Sequence, residues 1–158
     1  MTFLETIFFL TGGFVDEFEI AVIYWSGTGN TQMMAEAVAQ GAKDAGAEVT
    51  LLSVSDTDAA AASSYDALAL GCPAMGGEVL EESEFEPFFS ELEGKLSGKK
   101  VVLFGSYDWG DGQWMWDWQQ RTEASGAKLA AAEGLIVHLT PEAADLEQCA
   151  ALGKSLAE

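Results

Sequence analysis

Three clusters of small, hydroxylated and aromatic residues carry the side-chain types in this chain that suit binding chemistry. The first is Ser26, Gly27, Thr28, Gly29, Asn30 and Thr31. Glycines between hydroxyl residues let successive backbone N–H groups converge on one point, which is how a helix N-terminus holds a phosphate. No Lys or Arg falls within 26–31. A Walker A loop ends in Gly-Lys-Ser/Thr, so nucleoside triphosphate chemistry is disfavoured. A dinucleotide fingerprint needs a third glycine, and Gln32 stands in its place. What remains is a cradle for one terminal phosphate without a counter-cation, or a glycine turn that only caps a helix. The second cluster is Cys72, Pro73, Ala74, Met75, Gly76, Gly77 and Glu78, and the third is Ser106, Tyr107, Asp108, Trp109 and Gly110.

Each cluster follows a short apolar run. Residues 20–24, 48–54, 66–71 and 101–105 read as strands, and a weaker fifth covers 128–137, interrupted at Glu133 and Gly134. Between them lie helical patterns. Met34, Val38, Ala42 and Ala45 mark the first helix, which Gly46 stops. Ser83 is the expected N-cap of a later helix, with Pro87 in its first turn and Phe85, Phe88, Phe89, Leu92 and Leu96 as its apolar stripe. Further helices are expected over 113–125 and 141–156. Apolar strands alternating with helices predict an α/β fold, a parallel sheet covered on both faces. In such sheets ligands bind beyond the C-terminal strand ends, which is where all three clusters fall.

Composition narrows the function from outside. At 158 residues, 49% hydrophobic and 21% charged, the chain is sized for one well-covered domain. Seven Lys and Arg against 26 Asp and Glu give −19, which disfavours nucleic acid and anionic membranes as partners and favours basic protein surfaces. Such a charge also fits a merely well-solvated surface. Cys72 and Cys149 lack CxxC spacing and His138 is the single histidine, so no zinc site is expected. Two reduced thiols in a cytoplasmic protein are the default. Residues 1–18 contain a short greasy run broken by Glu5, with no basic residue before it and no small-residue cleavage site after it. They are expected to be an extension foreign to the domain at 19–158, with Val15 as the candidate true start.

Taken together, SGTGNT after the first strand, CPAMGGE after the third and SYDWGDG after the fourth resemble flavodoxins of the short-chain type. The runs GGEVLEESEFEPFF (76–89) and GKKVVLFGSYDWGDGQW (98–114) extend the resemblance, which covers 20–158. It implies a three-layer, doubly wound, five-stranded parallel sheet in the order 2-1-3-4-5, binding one FMN non-covalently. It further implies that residues 26–31 take the 5′-phosphate, with Ser106 contributing near the phosphate and ribityl chain. Trp109 would stack on the outer face of the isoalloxazine and Met75 would cover the inner face. Glu78 would accept from the flavin N3–H. The side-chain chemistry agrees: a flat heteroaromatic ring favours aromatic and polarizable walls. Trp114, Trp116 and Trp118 are assigned to packing and to the surface around the site.

The same resemblance makes residues 75–78 a redox-sensitive turn, whose peptide after Gly76 flips so that the Gly76 carbonyl accepts from flavin N5. A type II turn there requires φ > 0 at Gly77, a conformation glycine adopts without penalty. Asp108 stands where relatives often carry glycine, and Pro73 where a hydroxyl residue is common. The implied function is a low-potential one-electron carrier, cycling between semiquinone and hydroquinone, without substrate turnover of its own. It would be a monomer serving redox proteins with basic docking surfaces. An FMN-dependent NAD(P)H:quinone oxidoreductase is the alternative, although the long insertions typical of those proteins are missing. A signalling receiver domain would need acidic residues where Trp25 and Cys72 stand.

Overall fold

The computed structural model describes residues 18–158. The expectations for residues 1–17, including the start at Val15, therefore lie outside the described residues.

Strand β1 (Glu19–Tyr24) leads into helix α1 (Asn30–Asp44), and β2 (Glu48–Ser53) follows. A 3-10 turn and the short helix α2 (Ala59–Ala62) come next, α2 being capped by Asp58, whose carboxylate accepts from the Ala61 N–H at 2.8 Å. Then come β3 (Ala67–Gly71), α3 (Phe85–Leu92), β4 (Lys100–Tyr107) and α4 (Gln113–Ala124). The chain closes with β5 (Lys128–Leu129), β6 (Leu135–His138) and α5 (Ala143–Ala157).

All strand pairs are parallel, in the order β2-β1-β3-β4-β5, with β6 continuing along β4 beyond β5. The expected fifth strand is thus two pieces on one edge. Val101 pairs with Leu129 and Phe104 with Leu135, so residues 130–134 loop out between the pieces, at the Glu133–Gly134 interruption. The Gly134 N–H donates to the Gln119 side chain at 2.7 Å, which fastens that loop to α4.

Alternation along the strands divides the core into two layers. Ala21, Ile23, Leu68, Leu70, Val101 and Leu103 face α3 and α4, packing with Phe85, Phe89, Trp114 and Trp118. Ile20, Val22, Ala67, Ala69, Val102 and Phe104 face α1 and α5, packing with Met34, Val38, Cys149 and Leu156. Of the tryptophans assigned to packing and site surface, Trp114 and Trp118 are buried and Trp116 is exposed.

Two helix expectations need correction. Ser83 does not cap α3. Glu84 holds the N-cap position without a side-chain cap, and the Glu81 carboxylate instead accepts from the backbone N–H groups of Ser83, Glu84 and Phe85 at 2.8–2.9 Å and from the Ser83 hydroxyl. A carboxylate with two oxygens can satisfy several of the orphan amides at a helix start, where a lone hydroxyl cannot. Leu96 is buried as expected but lies beyond α3, after a 3-10 turn at Glu93–Lys95.

Candidate functional site

The residues between β1 and α1 continue the sheet for one step, the Trp25 N–H donating to the Gly71 carbonyl at 3.0 Å, and then turn sharply. Gly29, at φ 98°, is the N-cap of α1, a left-handed conformation that costs glycine nothing in Cβ sterics. The Ser26 Oγ accepts from the Gly29 N–H at 3.1 Å and the Gln32 N–H at 3.3 Å, and the Thr28 Oγ1 accepts from the Asn30 N–H at 3.3 Å. Hydroxyls and amides of the first cluster are thereby gathered at the positive end of a 15-residue helix. Thr31 is 1% exposed; its hydroxyl shares a 2.9 Å hydrogen bond with the Ser106 hydroxyl and accepts the Ser106 N–H at 3.3 Å. That pair ties the phosphate-type loop to the end of β4.

The second cluster follows β3. Met75 and Val79 exchange two 2.9 Å backbone hydrogen bonds, so residues 76–78 form a three-residue hairpin loop. Positive φ falls on Gly76 (50°) and Glu78 (59°) and not on Gly77. In this conformation the Met75–Val79 bridge sets the turn and places the left-handed residues on either side of Gly77; the type II turn with φ > 0 at Gly77 is expected of the flipped form. The Glu78 Oε1 accepts from the Gln113 N–H, the first residue of α4, at 2.9 Å. A Cβ on Gly110, itself at φ 92°, would stand 2.6 Å from the Glu78 carboxyl carbon. The second and third clusters are thus in direct contact.

A cleft of about 370 Å³ opens where these segments converge, within the ~300–1,000 Å³ of small-molecule sites. Its wall takes Ser26, Gly27, Thr28, Asn30 and Thr31 from the first cluster, Pro73, Ala74 and Met75 from the second, and Ser106, Tyr107 and Asp108 from the third. None of the lining residues is a cation. Gly29, Cys72, Gly76, Gly77, Glu78, Trp109 and Gly110 do not line it. Gly29 turns the chain behind the wall. Cys72 is fully buried beneath it, and its Sγ accepts from the Glu81 N–H at 3.4 Å. Burial, reinforced by the Glu81 and Glu86 charges, raises the Cys72 thiol far above its ordinary range. It is packing, not a nucleophile. Gly76, Gly77 and Trp109 sit at the exposed rim, Trp109 with 60% of its surface accessible.

Two lining residues, Trp25 and Leu139, were not among the expected site residues. Trp25 directly follows the β1 run; its indole N–H donates to the Glu84 carboxylate at 3.0 Å, joining the first loop to the start of α3. Leu139 follows β6 at φ 65°. Its signal is its place at a strand's C-terminal end; the lack of a glycine there hid it.

Before and along α3, two carboxylates are held below their usual range. Burial alone would raise the Glu81 carboxyl, but the Ser83 hydroxyl and the amides of Phe85, Glu84 and Ser83 together hold it below the usual range. Arg121 lowers Glu86, to which it is bonded at 2.9 Å, and also reaches Glu93 at 2.9 Å, joining α4 to α3. No cluster of His, Cys, Asp or Glu suited to a metal occurs among the described residues.

A doubly wound parallel sheet, with an amide-and-hydroxyl nest at one end of the cleft and Met75 on the wall with Trp109 at the rim at the other, defines a flavodoxin-like mononucleotide binder. A family model described as Flavodoxin matches residues 22–153. The flavodoxin of Clostridium beijerinckii is 49% identical over 86% of this chain and 97% of its own. That of Megasphaera elsdenii is 48% identical over 88% of this chain and 98% of its own. The solution structure of two-electron reduced Megasphaera elsdenii flavodoxin superposes with a TM-score of 0.78 at 47% identity, covering 87% of this chain and 98% of that one. The chain belongs to the flavodoxin family, of the short-chain type, and its cofactor is FMN. Flavodoxins are electron carriers working with redox partners. The residues present fit the group: a cation-free nest suits one phosphate monoester, and the apolar rim suits a flat ring.

Proposed function

We propose that the chain is a low-potential, one-electron carrier whose FMN cycles between semiquinone and hydroquinone. Residues 26–31 hold the 5′-phosphate through backbone amides and hydroxyls. Ser106, fixed by Thr31, continues that polar wall toward the ribityl chain. Met75 and Trp109 enclose the ring. Glu78 keeps one carboxylate oxygen on the Gln113 amide and offers the other to flavin N3–H. FMN supplies the redox chemistry; the protein supplies binding, orientation and field.

The observation that carries the reading is the asymmetry of charge around the cleft. No cation lines it, Asp108 stands on its wall, and Glu78, Glu81 and Glu84 follow on the adjoining loop and helix start. A unit negative charge ~10 Å from a reduced, anionic ring disfavours it by roughly 0.4–1.7 kcal/mol, or about 20–70 mV per electron. Each carboxylate so placed lowers the second reduction potential. The same acidic field steers partners with basic docking surfaces. The chain acts as a monomer in the cytoplasm, a reducing compartment that suits two buried, unpaired cysteines.

A potentiometric titration followed by visible absorbance tests this. Two separated one-electron steps with a long-wavelength intermediate are expected. A direct two-electron reduction, or steady-state quinone reduction by NAD(P)H without an added reductase, would overturn it in favour of the oxidoreductase.

A further inference from the structure

The loop that carries Trp109 is held in place by little of its own making. Residues 108–112 form no regular structure, and Asp108, Trp109 and Gly110 are all exposed. Among the described residues, one hydrogen bond reaches residues 108–111: the His138 Nε2 to the Asp108 carbonyl oxygen, 3.0 Å. A carbonyl only accepts, so Nε2 carries the hydrogen. His138 is itself well placed. It ends β6 in register with Tyr107, its ring lies 5.0 Å from the Tyr107 ring at 37°, and the following Leu139 N–H donates to the Tyr107 carbonyl at 2.8 Å. Tyr107 in turn leans on the buried Trp114 at 5.7 Å. The imidazole is therefore backed by strand and aromatic packing on one side and aims its donor at the loop on the other.

We infer that His138 is a positioning residue for FMN: its Nε2–H fixes the Asp108 carbonyl and so sets where Trp109 meets the ring. The inference rests on the stacking role proposed for Trp109. It makes no use of the Asp108 carboxylate, and it places His138 outside the set of residues that touch the cofactor. An aromatic wall held in register before binding costs less ordering when the ring arrives. An exposed loop freed of its tether pays that ordering cost.

The test removes FMN from the parent, His138→Ala, His138→Gln, Trp109→Ala and the His138→Ala/Trp109→Ala double variant, then titrates FMN back by its fluorescence. His138→Ala is expected to bind FMN about fivefold to tenfold more weakly, as for one lost hydrogen bond. His138→Gln, which keeps a side-chain N–H, is expected within about twofold of the parent. In the Trp109→Ala background, removing His138 is expected to change affinity by less than about twofold, because positioning a missing ring has no value. Amide hydrogen exchange across 108–112 in the FMN-free protein is expected to quicken in His138→Ala, with the thermal midpoint unchanged. Parent-like FMN affinity in His138→Ala overturns the inference, as does an equal loss in the Trp109→Ala background or a loss that Gln fails to rescue. If Trp109→Ala itself leaves affinity unchanged, the stacking role falls and this inference falls with it. If Trp109→Ala weakens binding and His138→Ala does not, only the positioning role falls.

Discussion

At one end of the cleft, Thr31 is 1% and Ser106 5% exposed, and their hydroxyls and a backbone amide bond one another. At the other end, Met75 is 36% and Trp109 60% exposed, and the loops that carry them hold left-handed residues at Gly76, Glu78 and Gly110. The first end is part of the core and the second is a surface fastened at a few points. A buried hydroxyl network stands ready before the ligand comes, since leaving any member unpaired is costly. An exposed hairpin with few bonds can exchange conformations at small cost. The division suits a carrier: one end supplies constant affinity, and the other responds to the state of the ring.

The most direct way to break that contrast is Thr31→Val, which keeps the shape and removes the hydroxyl. It leaves the buried Ser106 hydroxyl and N–H without their partner, so the FMN-free protein should lose about 1–3 kcal/mol of stability in urea unfolding. Met75→Ala, by contrast, should cost under about 0.5 kcal/mol at an exposed position. Equal losses at the two residues would remove the distinction between the ends.

Gly110→Ala comes next. The new Cβ meets the Glu78 carboxyl at 2.6 Å and sits at φ 92°, so the backbone alone is penalised by about 1–2 kcal/mol. The displaced carboxylate should also lose its bond to the Gln113 N–H. FMN affinity should then fall about tenfold, as for the loss of a charge-assisted hydrogen bond. An unchanged affinity would separate Glu78 from the cofactor.

Glu81→Gln acts on the start of α3, just beyond the ring-end hairpin. The variant should lose about 0.5–2 kcal/mol at neutral pH, the range of a helix cap. The folded-state carboxyl lies below its usual range, so its stabilisation is present above the unfolded value of ~4.3 and disappears as pH falls through the lower folded value. The parent and the Glu81→Gln variant are otherwise alike, so the two stability curves should converge in acid. A gap that stays constant down to that range would show that Glu81 does not act through its charge.

The first-loop chemistry was legible because it is written in local composition: hydroxyls, glycines and a missing lysine. The parallel sheet followed from the alternation of strands and helices, its strand order from the family resemblance, and the break at Glu133–Gly134 was visible as a gap in an apolar run. What escaped was decided by tertiary contact. Glu81 outcompetes Ser83 as the cap because the chain returns to Cys72, whose Sγ accepts the Glu81 N–H, and the Glu81 side chain is buried there against the start of α3. Trp25 stands one residue outside the first cluster, and His138 and Leu139 belong to a strand end without glycine, so nothing local marks them as site residues. The φ values of the 76–78 loop depend on the Met75–Val79 bridge, which no turn propensity encodes.

Gly77 has no atom within 4 Å of a Cβ placed on it, and its φ is not positive, so Gly77→Ala should change stability by less than about 0.5 kcal/mol. Its effect belongs to the alternative turn. If reduction flips the peptide after Gly76 into a type II turn, Gly77 must adopt φ > 0, where alanine is penalised by roughly 1 kcal/mol and glycine is not. Where the flipped turn is confined to the one-electron-reduced protein, the penalty falls on that state, and roughly 1 kcal/mol corresponds to about 40 mV. The first potential should therefore drop and the second rise by that amount, drawing the two couples closer while FMN-free stability stays at the parent value. Unchanged potentials would mean that the hairpin keeps its present form throughout the cycle, with Gly76 and Glu78 already carrying the left-handed conformations the ring end requires.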